Sequence, residues 1–286
     1  YVQRIDAAGN RLWTTDVRVS SDIGFPTKWS APAVAIDNTG NAFVVWNDYR
    51  NGRWVVCVQK IDSAGNRLWT QETHVTSDIG KPAYPVIATD SWGSAVVAWQ
   101  DSRNGNDDIY AQRIDTHGNR VWEADVRVNS DSGTAPQTTP TIAMDRSGQA
   151  VIAWRDQRDD TSIYAQRLDA AGTKVWADDR RVSAYVEPAM QASPAVAVDP
   201  DDNAIVVWRE LRIATEIYAQ KLTPEGVRMW DDDLQVNSGS GYVYSPVIAI
   251  DDGGNAWVVW EDDRNGHLGS NDDIYGQRIS PEGDRL

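Results

Sequence analysis

Residues 150–169 read Ala150-Val-Ile-Ala-Trp154-Arg-Asp-Gln-Arg158-Asp-Asp-Thr-Ser-Ile-Tyr164-Ala-Gln166-Arg-Leu-Asp169. An apolar run, a polar loop and a phrase centred on Gln recur in this order along the chain. The apolar run returns as Ala42–Trp46, Ala95–Trp99, Ala204–Trp208 and Ala256–Trp260. The Gln phrase has six copies, at Gln3, Gln59, Gln112, Gln166, Gln220 and Gln277, spaced by about 54 residues. A period of that size built from short strands marks a propeller or a similar repeat array.

Working outward from the run gives a four-strand unit. Strand A is short and slender, as in Pro140-Thr-Ile-Ala or Pro194-Ala-Val-Ala. Pro at the first strand position gives up no needed ladder bond. A Gly/Asn turn leads to strand B, the apolar run. Strand C carries the Gln phrase and alternates better, and strand D, Arg67 to Thr76 in one copy, is the most polar. Turns of this type join antiparallel neighbours into a meander. A strand that is apolar at every position needs cover on both faces, so sheets must stack on sheets around an axis. No stretch has convincing helical periodicity.

The chain is therefore expected to be an all-β propeller of four-stranded antiparallel blades, one domain over 1–286. Residues 1–19 supply only strands C and D, and 246–286 supply A, B, C and the start of D. Five blades is the expectation. The alternative is six, with a further A–B hairpin beyond the visible end pairing with the N-terminal strand C.

Bulk properties exclude several classes. The formal net charge is −15, against nucleic acid, which needs clustered Lys and Arg, and against anionic membrane surfaces. No run is long and apolar enough for a membrane-spanning helix. A single cysteine, Cys57, rules out an internal disulfide and reads as a packing residue. The first residue, Tyr1, lies inside a repeat, which reads as a mature or excised piece of a longer chain.

The stretch Asp251-Asp-Gly-Gly-Asn-Ala-Trp-Val-Val-Trp260-Glu-Asp-Asp-Arg264, followed by Asp273-Ile-Tyr275, resembles the WD40-like repeat of TolB-type propellers. Its acid-x-Arg element matches at Asp48/Arg50, Asp101/Arg103, Asp156/Arg158, Glu210/Arg212 and Asp262/Arg264. The loop Gly is kept at Gly52, Gly105 and Gly266 and lost in the third and fourth copies. The unit is longer than that of TolB. The resemblance implies a propeller that binds proteins and carries over no catalytic role.

Candidate chemistry must break the repeat. The five acid-x-Arg pairs read as salt bridges capping a turn, because a catalytic site is not needed five times. The strand-A acids Asp37, Asp90, Asp145, Asp199 and Asp251 close their strands as turn residues, and only Glu187 is a lone acid near the start of a strand A. A glycosidase would need two unique carboxylates across the sugar. His74, His117 and His267 share no zinc spacing. Asp199-Pro-Asp-Asp-Asn203 and Asn271-Asp-Asp273 offer oxygens for calcium without the full loop pattern. The D–A loops do diverge, carrying Phe25 and Trp29, then Tyr84, Tyr185, Tyr242 and Tyr244, with Gln137 in the remaining copy. Aromatic rings beside polar groups suit sugar or peptide recognition.

These observations predict a non-catalytic binding or scaffolding propeller of a secreted, cell-surface or periplasmic protein. Its ligand is a glycan or a protein, held by Trp29, Tyr84, Tyr185, Tyr242 and Tyr244. No cofactor is expected, calcium being the one weighed. The alternatives are a structural assembly module of a larger extracellular protein and, third, a glycoside-acting enzyme.

Overall fold

The computed structural model describes residues 1–21, 31–77, 80–159, 161–185, 190–212, 214–239, 241–265 and 273–286. The protein is an all-β, five-bladed propeller. Blade one is β1 (Ala33–Ile36), β2 (Ala42–Arg50), β3 (Arg53–Ile61) and β4 (Thr73–His74). Blade two is β5 (Pro82–Thr89), β6 (Ala95–Asp101), β7 (Asp108–Ile114) and β8 (Val126–Arg127). Blade three is β9 (Gln137–Met144), β10 (Ala150–Asp156), β11 (Ser162–Leu168) and β12 (Arg180–Arg181). Blade four is β13 (Met190–Val198), β14 (Ala204–Leu211), β15 (Thr215–Leu222) and β16 (Leu234–Gln235). Blade five has three strands, β17 (Val243–Ile250), β18 (Ala256–Asp262) and β19 (Asp273–Ile279). All neighbours within a blade are antiparallel, in sequence order. The inner strands pack side by side from β1 through β5, β9 and β13 to β17.

The apolar runs do what their composition requires. Ala95, Val97 and Trp99 face blade one, and Val96 and Ala98 face blade three. Trp99, Trp154 and Trp208 are fully buried, and Trp46 and Trp260 nearly so. Each of Trp99, Trp154, Trp208 and Trp260 donates its Nε1–H to the buried acid two residues on, Asp101, Asp156, Glu210 or Asp262. Cys57 stands opposite Trp46 where other copies have Tyr, and burial pushes its thiol up to about 12.

Two strand assignments are corrected. Strand D is only two residues long in each of its four copies. The rest of the segment carries the blade-to-blade contacts described below. Strand C is buried along almost its whole length in blades one to four, because blades cover both of its faces. Its Gln is inside. Gln112 Nε2 donates to Trp122 O at 3.1 Å, and its Oε1 accepts the amides of Trp122 at 3.0 Å and Arg113 at 2.9 Å. Gln59, Gln166 and Gln220 repeat this clamp.

Neighbouring units are fastened by an indole. Trp69, Trp122 and Trp176 each donate Nε1–H to a carbonyl in the next blade's C–D turn, at Thr116, Ala170 and Pro224. The N-terminal pair, bridged at Val2–Val17 and Ile5–Arg11, is fastened to blade one the same way, by Trp13 to Ser63 O. Its Val2, Trp13 and Val17 pack on Val44, Trp46 and Ile61.

Candidate active site

The B–C and D–A connections share one face, where the inner strands begin. In blades two to five strand A starts earlier there than its Pro suggested and crosses a bulge just before the Pro. The residue at the bulge is left-handed in four blades, namely Tyr84 (φ 51°), Thr139 (φ 50°), Ser193 (φ 51°) and Ser245 (φ 48°). A non-glycine residue in this region before Pro is strained. Such strain is held where surrounding structure fixes it, often at functional sites.

Beside this collar, the residues that follow the strand-B Trp diverge as Asn47, Gln100, Arg155, Arg209 and Glu261. Gln100 connects three elements. Its Oε1 accepts the amide of Thr139 at 3.3 Å, and its side chain hydrogen-bonds the Asp107 carboxylate. Asp107 precedes β7, and its carbonyl accepts the Gln137 amide at 2.7 Å, so it lies against the start of the next inner strand. Burial raises the pKa of Asp107, and the negative charges of Asp101 and Asp108 add to this, against the Gln100 hydrogen bond. Among the described residues, it is the one carboxyl group with a clear upward shift. The sequence reading missed it because it follows a variable loop. Its sequence signal was weak, because the matched position is Trp54, Thr161 and Thr215 in three copies but again an acid, Asp272, in the fifth.

The five expected binding residues have different local settings. Trp29 lies outside the described residues, as do Phe25 and Glu187. Tyr84 and Tyr244 sit in inner strands at the bulge rather than in loops. Tyr84 is exposed, and Tyr244 faces the Arg209 guanidinium at 5.5 Å from its ring centre. Tyr242 is exposed, and its amide donates to Asp263 Oδ1 at 2.6 Å. Tyr185 is drawn aside, because Arg212 lies 3.9 Å from its ring centre and 4.0 Å from that of Tyr218. Gln137 is buried between Asn129 and Asp156.

The repeated charges are structural. Arg103 bonds Asp101 at 2.6 Å and Asp125 at 2.8 Å, and Arg158 bonds Asp156 and Asp179, both at 2.7 Å. On the opposite face, the strand-A acids are each paired with a cation from strand C, as in Asp37–Lys60 at 2.9 Å and Asp145–Arg167 at 3.1 Å. A cleft of about 360 Å³ on that face is lined by Arg167, Trp176, Arg180, Asp202 and Glu225. Its Arg167 is already taken by Asp145 and by Asp202 O. Asp199 accepts from Asn203 and pairs with Lys221 at 2.8 Å. Among the described residues, no cluster of three or more His, Cys, Asp or Glu is placed to hold a metal. No helix there is long and apolar enough to cross a membrane.

No family model and no curated protein matches the sequence. Solved structures do match its fold. The Penicillium chrysogenum α-L-arabinanase, complexed with arabinobiose, is 12% identical, with 94% of this chain and 88% of that chain covered and a TM-score of 0.56. The Fusarium graminearum α-L-arabinofuranosidase is 13% identical over 93% and 86%, with a TM-score of 0.56. An ulvan lyase is 11% identical over 93% and 72%, with a TM-score of 0.58. At these identities the likeness is one of fold. It supports the propeller without singling out the TolB or WD40 type. It also corrects the expectation of a non-catalytic module, since these propellers belong to enzymes that act on sugars.

Proposed function

We propose that the protein is a secreted or surface enzyme that cleaves glycosidic bonds in a polysaccharide at the face where the inner strands begin. The observation that carries this reading is the Asp107–Gln100–Thr139 cluster, in which burial raises the pKa of an acid set beside a strained collar. A carboxyl group with a raised pKa suits proton donation to a leaving oxygen. Asp107 gives its proton to the glycosidic oxygen as the C–O bond breaks, and the bonding pair leaves with that oxygen. Water then adds to the sugar carbon and loses a proton to a base. Glu261, at the Gln100 position of blade five, is the first candidate for that base. Tyr84, Tyr242 and Tyr244 offer stacking surfaces for sugar rings.

The test is incubation with neutral and acidic polysaccharides, reading new reducing ends and, for elimination, the ultraviolet absorbance of an unsaturated product. Activity that Asp107→Asn abolishes while the fold is retained supports the reading. Full activity in Asp107→Asn, or no cleavage of any glycan, overturns it.

A further inference from the structure

Four seams between blades are built alike, and one is open. Phe43, Val96, Val151 and Ile205 are buried against the following blade, whereas their counterpart Trp257 in blade five is 50% exposed. Val56, Ile109, Ile163 and Ile217 are fully buried, whereas Ile274 is 69% exposed. Across the opening, Val34 and Ile36 of β1 are 58% and 67% exposed, although Ile87 and Val196 at the Val34 position are buried. β17 has no packing on β1 comparable to that between the other inner strands.

The N-terminal pair beside this opening lacks, among the described residues, partners that its copies have. A Cβ at Gly65, Gly118, Gly172, Gly226 or Gly283 would strike the indole of the preceding unit, and one at Gly9 would meet nothing within 4 Å. Arg4 stands where Lys60, Arg113, Arg167, Lys221 and Arg278 each hold a strand-A carboxylate, and among the described residues its side chain bonds Ser63 O instead. Asp16 matches Glu72, Asp125, Asp179 and Asp233, each bonded by a loop arginine, but it is met by Arg11 and Gln3. Tyr1 and Ile5 are exposed where Tyr110 and Ile114 are buried.

We propose that this seam receives one further run of the repeat, strands D, A and B in order. Its indole lies on Gly9, its strand-A Asp pairs with Arg4, and its loop Arg reaches Asp16. Its strand B adds to the open edge of residues 1–5, the usual mode of strand addition. Its aliphatic residues cover Trp257, Ile274, Val34 and Ile36. The occupant is specified by these matched groups rather than by apolar area alone.

The probe is a peptide of this chain's own Trp122–Arg158, which contains all three strands, added to the whole protein. A one-to-one complex by sedimentation and a rise in unfolding temperature of about 5 °C or more are expected. Ile274→Asp and Arg4→Glu, both exposed in the free chain, should each weaken binding about tenfold or more. Should the free peptide not fold, the same run joined by a flexible linker after Leu286 should raise the unfolding temperature and slow hydrogen exchange at Ile274. No gain in either form overturns the proposal, and so does binding indifferent to Ile274→Asp. A self-dimer through Ile274 that excludes the peptide would make a second copy the occupant, and also overturns it.

Discussion

The indole of Trp69 lies against Gly118 of the next blade, where an added Cβ would sit 2.8 Å from its ring. The same indole donates to Thr116 O at 3.2 Å in that turn. One side chain thus binds the turn edge-on and closes over its glycine.

Gly118 (φ +87°) and Gly9 (φ +82°) share a left-handed backbone, but only Gly118 is covered. Gly9→Ala should cost about 1 kcal/mol from backbone strain alone. Gly118→Ala should cost a further 1–3 kcal/mol or so from overpacking. Equal midpoints in urea for the two variants would dissociate the indole from the glycine requirement.

Trp154 is fully buried and bonds Asp156 at 2.8 Å. Trp154→Ala should destabilise by about 3–5 kcal/mol through the cavity left behind. Trp257→Ala, at the open seam, should change stability by less than about 0.5 kcal/mol. Chemical denaturation of both variants measures the contrast.

Removing the clamp at Gln112 leaves the amide and carbonyl of Trp122 without their side-chain partner. Gln112→Leu should cost about 1–3 kcal/mol, and exchange of the Trp122 amide should accelerate. A variant as stable as the parent would mean that water replaces the clamp.

Burial alone would raise the carboxyls of Asp199 and Asp262, but stronger hydrogen bonds lower them, from Lys221 and Asn203 to Asp199 and from Arg264 and Trp260 to Asp262. Their folded pKa lies below the unfolded value. The stability they contribute is therefore present above about pH 4 and disappears as pH falls through the folded pKa. Melting temperatures should hold from neutral pH to about 5 and then fall; a protein equally stable at pH 3 would show that these contacts contribute little.

Asp107 has the opposite shift, so its ionised form is the disfavoured one in the folded protein. Activity that needs its proton should fall as pH rises through that raised pKa. Asp107→Asn should lose activity while keeping or gaining stability at neutral pH, because its surroundings disfavour the carboxylate. Loss of both together would make Asp107 a structural residue.

The propeller was legible because its cause is local and repeated. A run such as Ala150-Val-Ile-Ala-Trp154 is apolar on both faces whatever surrounds it, and the Gln and acid-x-Arg elements recur in register. The lengths of strands A and D were not legible. The bulge at Tyr84 or Ser245 depends on backbone strain held by the neighbouring blade, and strand D yields its ladder to the indole contact. The site was harder still. Asp107 looks like any loop acid until folding sets it against Gln100 and the start of β9. Tyr185 looks like Tyr84 until Arg212 is seen beneath its ring.

Each indole fastening joins a unit only to the next one, so forces pass along the array in steps of one blade. Such an array behaves as a one-dimensional chain with ends, its stability the sum of unit and neighbour terms. Blade five, fastened on one side, should fray first and most often, and blade two or three last. Substitutions two blades apart should add their effects, while those sharing one seam should not.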